Sequence, residues 1–211
     1  MKVALVNGSP HKEGCTYTAL CEAEKTLNKE GIETEQFWIG NKPIGGCIAC
    51  KACVNTGKCA FDDVVNQFRG IAKEADGFLF GTPVHYAAAS GSMTAFMDRL
   101  FYSEACGNAG EAFYLKPAAC IISARRAGTT ATYDQMNKYF GIQGMPIISA
   151  RYWNMVHGAK PEEVLQDKEG LYNMRVLARN MAFFLNCKKA GLENGIALPE
   201  TEEPVFTNFI R

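Results

Sequence analysis

The sequence predicts a doubly wound α/β domain built on a parallel sheet, and three observations lead there. Short apolar runs alternate with segments of helical periodicity along most of the 211 residues. The runs are apolar at consecutive positions, which suits strands covered on both faces. Polar, glycine-rich loops follow the strands, and sheets of this kind bind their ligands beyond the carboxyl ends of the strands.

Residues 2–6 form the first strand, stopped by Asn7-Gly8-Ser9-Pro10. Thr16, Leu20, Ala23 and Leu27 recur at i, i+4, i+7 and i+11 on one face of a helix. Gly31 then stands where a left-handed terminating residue belongs. Residues 32–39 read as the second strand and residues 40–60 as a loop rich in Gly and Cys. Val64, Val65, Phe68 and Ile71 mark the second helix, and residues 77–81 the third, fully buried strand. Met93, Ala95, Phe96, Arg99 and Leu100 predict another helix, with irregular chain around residues 106–110. The fourth strand covers residues 118–123, a helix follows over 132–140, and the fifth strand is expected at 146–149. A long final helix runs from about Pro161, a favoured first helical residue, towards Lys189. The division expected is one domain over residues 1–190 and an extended tail over 191–211, with Pro199 and Pro204. Five strands in this rhythm favour the order 2-1-3-4-5.

Lys and Arg number 22, as do Asp and Glu, so there is no basic surplus for a nucleic-acid partner. No apolar run approaches the ~20 residues needed to span a bilayer. The first apolar stretch breaks at Asn7-Gly8, before a signal peptide could form. The expectation is a cytoplasmic protein without membrane attachment. Nine cysteines is an odd number, which speaks against a disulfide framework. Four of them, Cys47, Cys50, Cys53 and Cys59, are crowded together, and the crowding points to a metal, a cluster or thiol chemistry.

Three loops carry the candidate binding residues. The first offers Ser9, Pro10, His11, Gly14, Cys15, Thr16 and Tyr17 at a strand-to-helix turn, where free backbone N–H groups suit a phosphate. A Walker spacing fails, because five residues separate Gly8 from Gly14 and Cys-Thr follows. A dinucleotide fingerprint fails at Pro10, where its second glycine belongs. A hydroxyl-lined loop fits the phosphate of flavin mononucleotide better, held by the helix end and hydroxyls rather than by a lysine. The plain alternative is a capped helix start with nothing bound. The second loop brings Thr82, Pro83, Val84, His85 and Tyr86, followed by small residues that let backbone approach a flat ring. The third brings Ser123, Ala124, Arg125, Gly128 and Thr129.

Taken in order, three motifs carry a resemblance. They are Gly8-Ser9-Pro10…Gly14-Cys15-Thr16, then Cys47-x2-Cys50-x2-Cys53-x5-Cys59…Asp62-Asp63, then Gly81-Thr82-Pro83-Val84…Gly91-x-Met93-x2-Phe96-x-Asp98-Arg99. Over roughly residues 1–187 the chain resembles the NADPH-dependent FMN reductase and iron–sulfur flavoprotein family. Cys15 departs from that family, which more often has Asn there. The resemblance implies a flavodoxin-like fold, bound FMN and assembly into a homodimer or homotetramer. Residues 93–102 and the tail are the segments expected at that interface. It also implies that Cys47, Cys50, Cys53 and Cys59 hold a [4Fe–4S] cluster. By spacing alone, the loop departs from ferredoxin sites, lacks the two separated knuckles of structural zinc, and also reads as free thiols.

The activity implied is FMN-dependent oxidation of NAD(P)H, with electrons passing to a quinone, a flavin or another small-molecule or protein acceptor. The flavin would carry the chemistry, so no catalytic side chain is required. A rival is a non-enzymatic flavodoxin-type electron carrier, although such carriers are shorter and strongly acidic. A second is a cysteine-dependent phosphatase, because Cys120 and Arg126 have C-x5-R spacing. Ile121-Ile122 reads as continuing strand, which opposes that rival. Cys120 and Cys187 are expected in the core, Cys21 in helix packing and Cys106 in a loop. His85 is expected as a loop residue or ring-edge contact rather than a catalytic base, and Tyr152, Trp153 and His157 belong to an interface or a pocket wall, with packing the plain alternative.

Overall fold

A computed structural model describes residues 1–200 together with residues 202, 205, 207 and 209. The strands are β1 (Lys2–Asn7), β2 (Glu33–Trp38), β3 (Gly77–His85), β4 (Ala88–Ala89), β5 (Ala118–Ala124) and β6 (Met155–His157). The helices are α1 (Cys15–Lys29), α2 (Ala52–Thr56), α3 (Val64–Glu74), α4 (Gly91–Asn108), α5 (Thr129–Ile142), α6 (Pro161–Val164) and α7 (Lys168–Glu193). The parallel strands lie in the order β2-β1-β3-β5-β6, and the two-residue β4 folds back antiparallel on β3. Without β4 this is the expected 2-1-3-4-5 order of a flavodoxin-like sheet.

The strand pattern explains the layers. Successive strand residues point to opposite faces. Val3, Leu5, Leu79, Ala119 and Ile121 pack with α1 and α7 in one buried cluster. Ala4, Val6, Phe78, Phe80, Cys120 and Ile122 pack with α3, α4 and α5 in the other. That second layer holds the buried phenylalanines Phe68, Phe78, Phe80, Phe96, Phe101, Phe113 and Phe140. The ring of Phe68 lies 5.1 to 6.5 Å from those of Phe37, Phe96, Phe80 and Phe78. No helix among the described residues is long and apolar enough to cross a membrane.

Six expectations need correction. Thr82, Pro83, Val84 and His85, read as loop, continue the strand β3. Residues 146–149 make only an isolated bridge, Ile147 beside Ala118, and the fifth strand is Met155–His157. Pro146 lacks an N–H, so the chain pairs briefly, loops out and re-enters. The buried Asn154 joins both passes: its side chain bonds Ala150 N and Ile148 O, while its carbonyl accepts from Ile122 N. The cysteine loop contains a short helix, α2, and α4 continues through Cys106 to Asn108. The long final helix is two helices, because Asp167 caps a new start at α7 with a bond from Gly170 N. Cys187 is exposed rather than in the core.

Helix α7 ends at Glu193, and residues 196–200 have no regular secondary structure. Pro204 lies outside the described residues. Within residues 93–102, Met93, Phe96, Met97, Leu100 and Phe101 are buried in the chain's own core, and Tyr102 is exposed.

Phe68 meets four other rings and is fully buried. Phe68→Ala is expected to cost about 3–5 kcal/mol. Urea denaturation measures it, and a loss below 1 kcal/mol would show that the layer refills the gap.

Candidate functional site

The loop after β1 is held by its own polar groups. Asn7 Oδ1 accepts from Ser9 N at 3.0 Å, Asn7 Nδ2 donates to Lys12 O at 2.9 Å, and Ser9 Oγ accepts from His11 N at 3.1 Å. Trp38 Nε1 donates to Ser9 O at 2.7 Å from the neighbouring strand. Gly8 N bonds Gly81 O, and a Cβ on Gly8 would stand 2.9 Å from that oxygen and 2.6 Å from Met93 Sδ. Glycine is therefore required where β1 passes β3.

Helix α1 then begins on Gly14 with no side-chain cap. By contrast, α3, α4 and α7 are capped by Asp63, Ser90 and Asp167. The first turn of α1 thus keeps its free N–H groups and their partial positive charge.

These groups border a cavity of about 520 Å³ at the carboxyl edge of the sheet. Ser9, His11, Gly14, Cys15 and Thr16 line it from the first loop, and Pro83, Val84 and His85 from the second. The third loop contributes Ser123, Ala124 and Arg125. A fourth wall, Gly158, Ala159, Lys160 and Pro161, together with Glu13, was not foreseen. It follows β6, the strand misplaced from sequence, and repeats the strand–small residue–helix pattern of the other loops.

The remaining expected residues lie elsewhere. Thr82 is fully buried, and its hydroxyl accepts from Ser90 N at 3.2 Å. Tyr17 lines a separate groove with Lys12, Gln36 and Trp38. Tyr86 is fully exposed at the β3–β4 turn, with φ of +59°. Pro10, Gly128 and Thr129 do not line the cavity. Gly128 takes φ of +93°, and a Cβ there would meet Val84 Cγ1 at 2.8 Å, so it sets the approach of α5 to β3.

Not every hydroxyl is free for a ligand. Thr16 is 1% exposed, and its Oγ1 lies 2.8 Å from Ser123 Oγ, so the pair ties α1 to β5. Cys15 Sγ donates to Gly158 O at 3.4 Å, and burial pushes its thiol up, which keeps it protonated as a clasp on the fourth loop. The cations at this cavity are Arg125 and Lys160, against the single carboxylate Glu13, and His11 adds an imidazole. A cavity of this volume with an unpaired helix start and exposed cations fits a phosphorylated flavin.

The four clustered cysteines line one smaller cavity with Arg99, Tyr102 and Phe61. Cys47 and Cys50 are exposed, Cys59 is half-buried, and Cys53 is buried on α2. Ala49 and Lys51 hold left-handed backbone, with φ of +52° and +58°, a strained choice for non-glycine residues. Burial, then the nearby Cys106, push the Cys53 thiol up. Among the described residues, no three His, Cys, Asp or Glu side chains stand close enough to hold a single metal ion. Four thiols around one cavity, with no imidazole, suit a cluster in which each thiolate takes its own iron.

Cys120 lies in the middle of β5, fully buried, with its Sγ 3.6 Å from Asn137 Oδ1. Burial drives its thiol far above the usual range. Residues 121–124 continue the strand. The anion loop that a phosphatase needs is absent there, and that rival is set aside. His157 stands by Asp167, whereas Tyr152 and Trp153 pair edge-to-face with both rings exposed rather than packed.

Alkylation is expected to respect this map. Iodoacetamide at pH 8 should label Cys106 and Cys187 in the native protein and leave Cys120 unmodified until denaturant is added. Peptide mass spectrometry reads the result, and early labelling of Cys120 would contradict its placement.

Comparison with known proteins agrees with this geometry. The family model for NADPH-dependent FMN reductases matches residues 1–160. An iron–sulfur flavoprotein of Methanocaldococcus jannaschii is 31% identical over 191 residues, covering 86% of this chain and 96% of that protein. Among solved structures, RosB with bound 8-demethyl-8-formylriboflavin-5′-phosphate has a TM-score of 0.70 at 18% identity, covering 100% of this chain and 94% of RosB. A flavodoxin from the domain Archaea has a TM-score of 0.58 at 14% identity, covering 88% and 99%. These structural likenesses speak to the fold, and the family match speaks to the chemistry: the chain belongs to the NADPH-dependent FMN reductase family and is an oxidoreductase.

Proposed function

We propose that the protein seats FMN in the four-walled cavity and oxidises NAD(P)H, passing the electrons to a quinone, a flavin or another acceptor. The observation that carries the reading is the uncapped start of α1 in the wall of a cavity that Arg125 and Lys160 also line. Bound FMN supplies the redox chemistry, accepting hydride from a nicotinamide. The chain does the rest. The N–H groups of the first turn of α1, with Lys160 and His11, hold the phosphate dianion. Pro83, Val84 and His85 form the floor for the ring, and Ser123, Ala124 and Arg125 flank it. The Thr16–Ser123 bond fixes the separation of the first and third walls.

The same reading takes Cys47, Cys50, Cys53 and Cys59 as ligands of a [4Fe–4S] cluster through which electrons leave. Support comes from the shared cavity and from the iron–sulfur flavoprotein named above. A homodimer or homotetramer belongs to it too, with Tyr86 and the Tyr152–Trp153 pair as exposed aromatic surface. Light scattering of FMN-loaded protein measures that assembly. Nine thiols in one chain suit a reducing compartment, and the reading places the reaction in the cytoplasm.

Lys160→Met is expected to weaken FMN binding about tenfold and to leave riboflavin, which lacks the phosphate, unaffected. Fluorescence titration with both flavins decides: equal losses would move the phosphate elsewhere. Anaerobically purified protein should carry about four irons and four sulfides per chain. Full FMN with neither element would refute the cluster.

A further inference from the structure

A guanidinium is buried beside the cysteines. Arg99 sits on α4 among Phe96, Met97, Leu100 and Phe101, and its side chain is 1% exposed. An arginine is almost never buried to this degree without partners. Here every partner comes from one loop. Nη1 and Nη2 each donate to the Asp63 carboxylate at 2.8 Å. Nη1 also reaches Gly45 O and Nη2 reaches Phe61 O, both at 3.3 Å. The remaining N–H, on Nε, donates to Cys59 Sγ at 3.2 Å. The Phe61 ring centroid lies 4.8 Å from the guanidinium carbon. All five donors of the side chain are spent, and the groups they hold lie both before Cys47 and after Cys59.

Asp63 fixes the direction of the fork. Its Oδ1, which accepts from Arg99 Nη2, also accepts from Val65 N at 3.1 Å and so caps α3. One carboxylate therefore joins the start of α3, the middle of α4 and the end of the cysteine loop. The two-pronged bond to Asp63 occupies the outer edge of the guanidinium and leaves Nε aimed at sulfur. Lysine, a single point of charge, could not hold the same set.

We propose that Arg99 is the positioning residue of the cysteine loop and that its Nε–H···Sγ bond tunes Cys59 as a ligand. The first half needs no bound group. The second rests on the cluster reading above. Hydrogen bonds to ligand sulfur draw electron density away from it and favour the reduced state of the bound centre. Arg99 therefore holds the loop in place before iron arrives and makes the loaded centre easier to reduce.

The test uses the full chain and the variant Arg99→Lys. In iron-free protein, hydrogen exchange over residues 45–63 is expected to accelerate at least tenfold in the variant, while β1, β3 and β5 stay protected. Unchanged exchange in that segment would overturn the positioning role. In protein reconstituted anaerobically with iron and sulfide, potentiometry is expected to find the cluster at a more negative potential in Arg99→Lys, with the FMN couple unmoved. A loosened loop with an unmoved cluster potential would leave Arg99 a purely structural residue and overturn the tuning role. If Arg99→Lys retains no cluster, Asp63→Asn supplies the potential: removing the carboxylate leaves the guanidinium charge unshared beside Cys59, so the potential should become more positive, and no shift would count against tuning. Wild-type protein that takes up no iron and sulfide would refute the cluster reading and the tuning with it, while the exchange result would still decide the positioning role.

Discussion

The sheet and the cavity at its edge follow from the double burial of β1, β3 and β5. Each strand gives alternate side chains to an α1–α7 layer and to an α3–α4–α5 layer, and both layers exclude water. A strand covered on two faces holds a polar side chain inside only when it is hydrogen-bonded, as Thr82 is to Ser90 N, and otherwise places it at the end. Asn7, His85 and Ser123 stand at or near those ends. The polar cavity is thus a product of the core: the sheet pushes its chemistry to one edge, and the helix starts that follow supply the donors.

That constraint also explains what could be read from sequence. Residues 2–6, 77–81 and 118–123 announce themselves because both of their faces are apolar, whereas Thr82 to His85, read as loop, continue β3. The edge strand β6 does not announce itself. It has three residues, and the more apolar run at 146–149 outweighs it locally, although that run makes only one bridge. The fourth wall of the cavity went unseen with it, and Lys160 with the wall. Pairwise events were also beyond reach. Nothing in the spacing of Thr16 and Ser123, or of Cys15 and Gly158, foretells that each pair meets across more than a hundred residues.

The cysteine segment obeys different rules. It lies outside the two-layer core, most of its residues are exposed, and its only helix is five residues long. Such a segment cannot order itself by burial. Its order comes from α4, through Arg99, and from Asn66 and Asn108, which bond the backbone at Cys59 and Gly57. The Asp98-Arg99 pair of the third sequence motif thereby gains a division of labour. Asp98 accepts from Tyr139 on α5 at 2.5 Å, and Arg99 turns the other way to the cysteines.

The bare start of α1 has a thermodynamic consequence. On the reading proposed above, the phosphate of the bound flavin completes this helix start in place of water, and a ligand that binds only the folded chain stabilises it in step with the logarithm of its concentration once the site is nearly full. The melting temperature of this protein is therefore a property of the chain and its bath together. Flavin-loaded and flavin-free protein are two different reference states, and a destabilised variant in the cell would survive or be degraded according to the supply of its ligand.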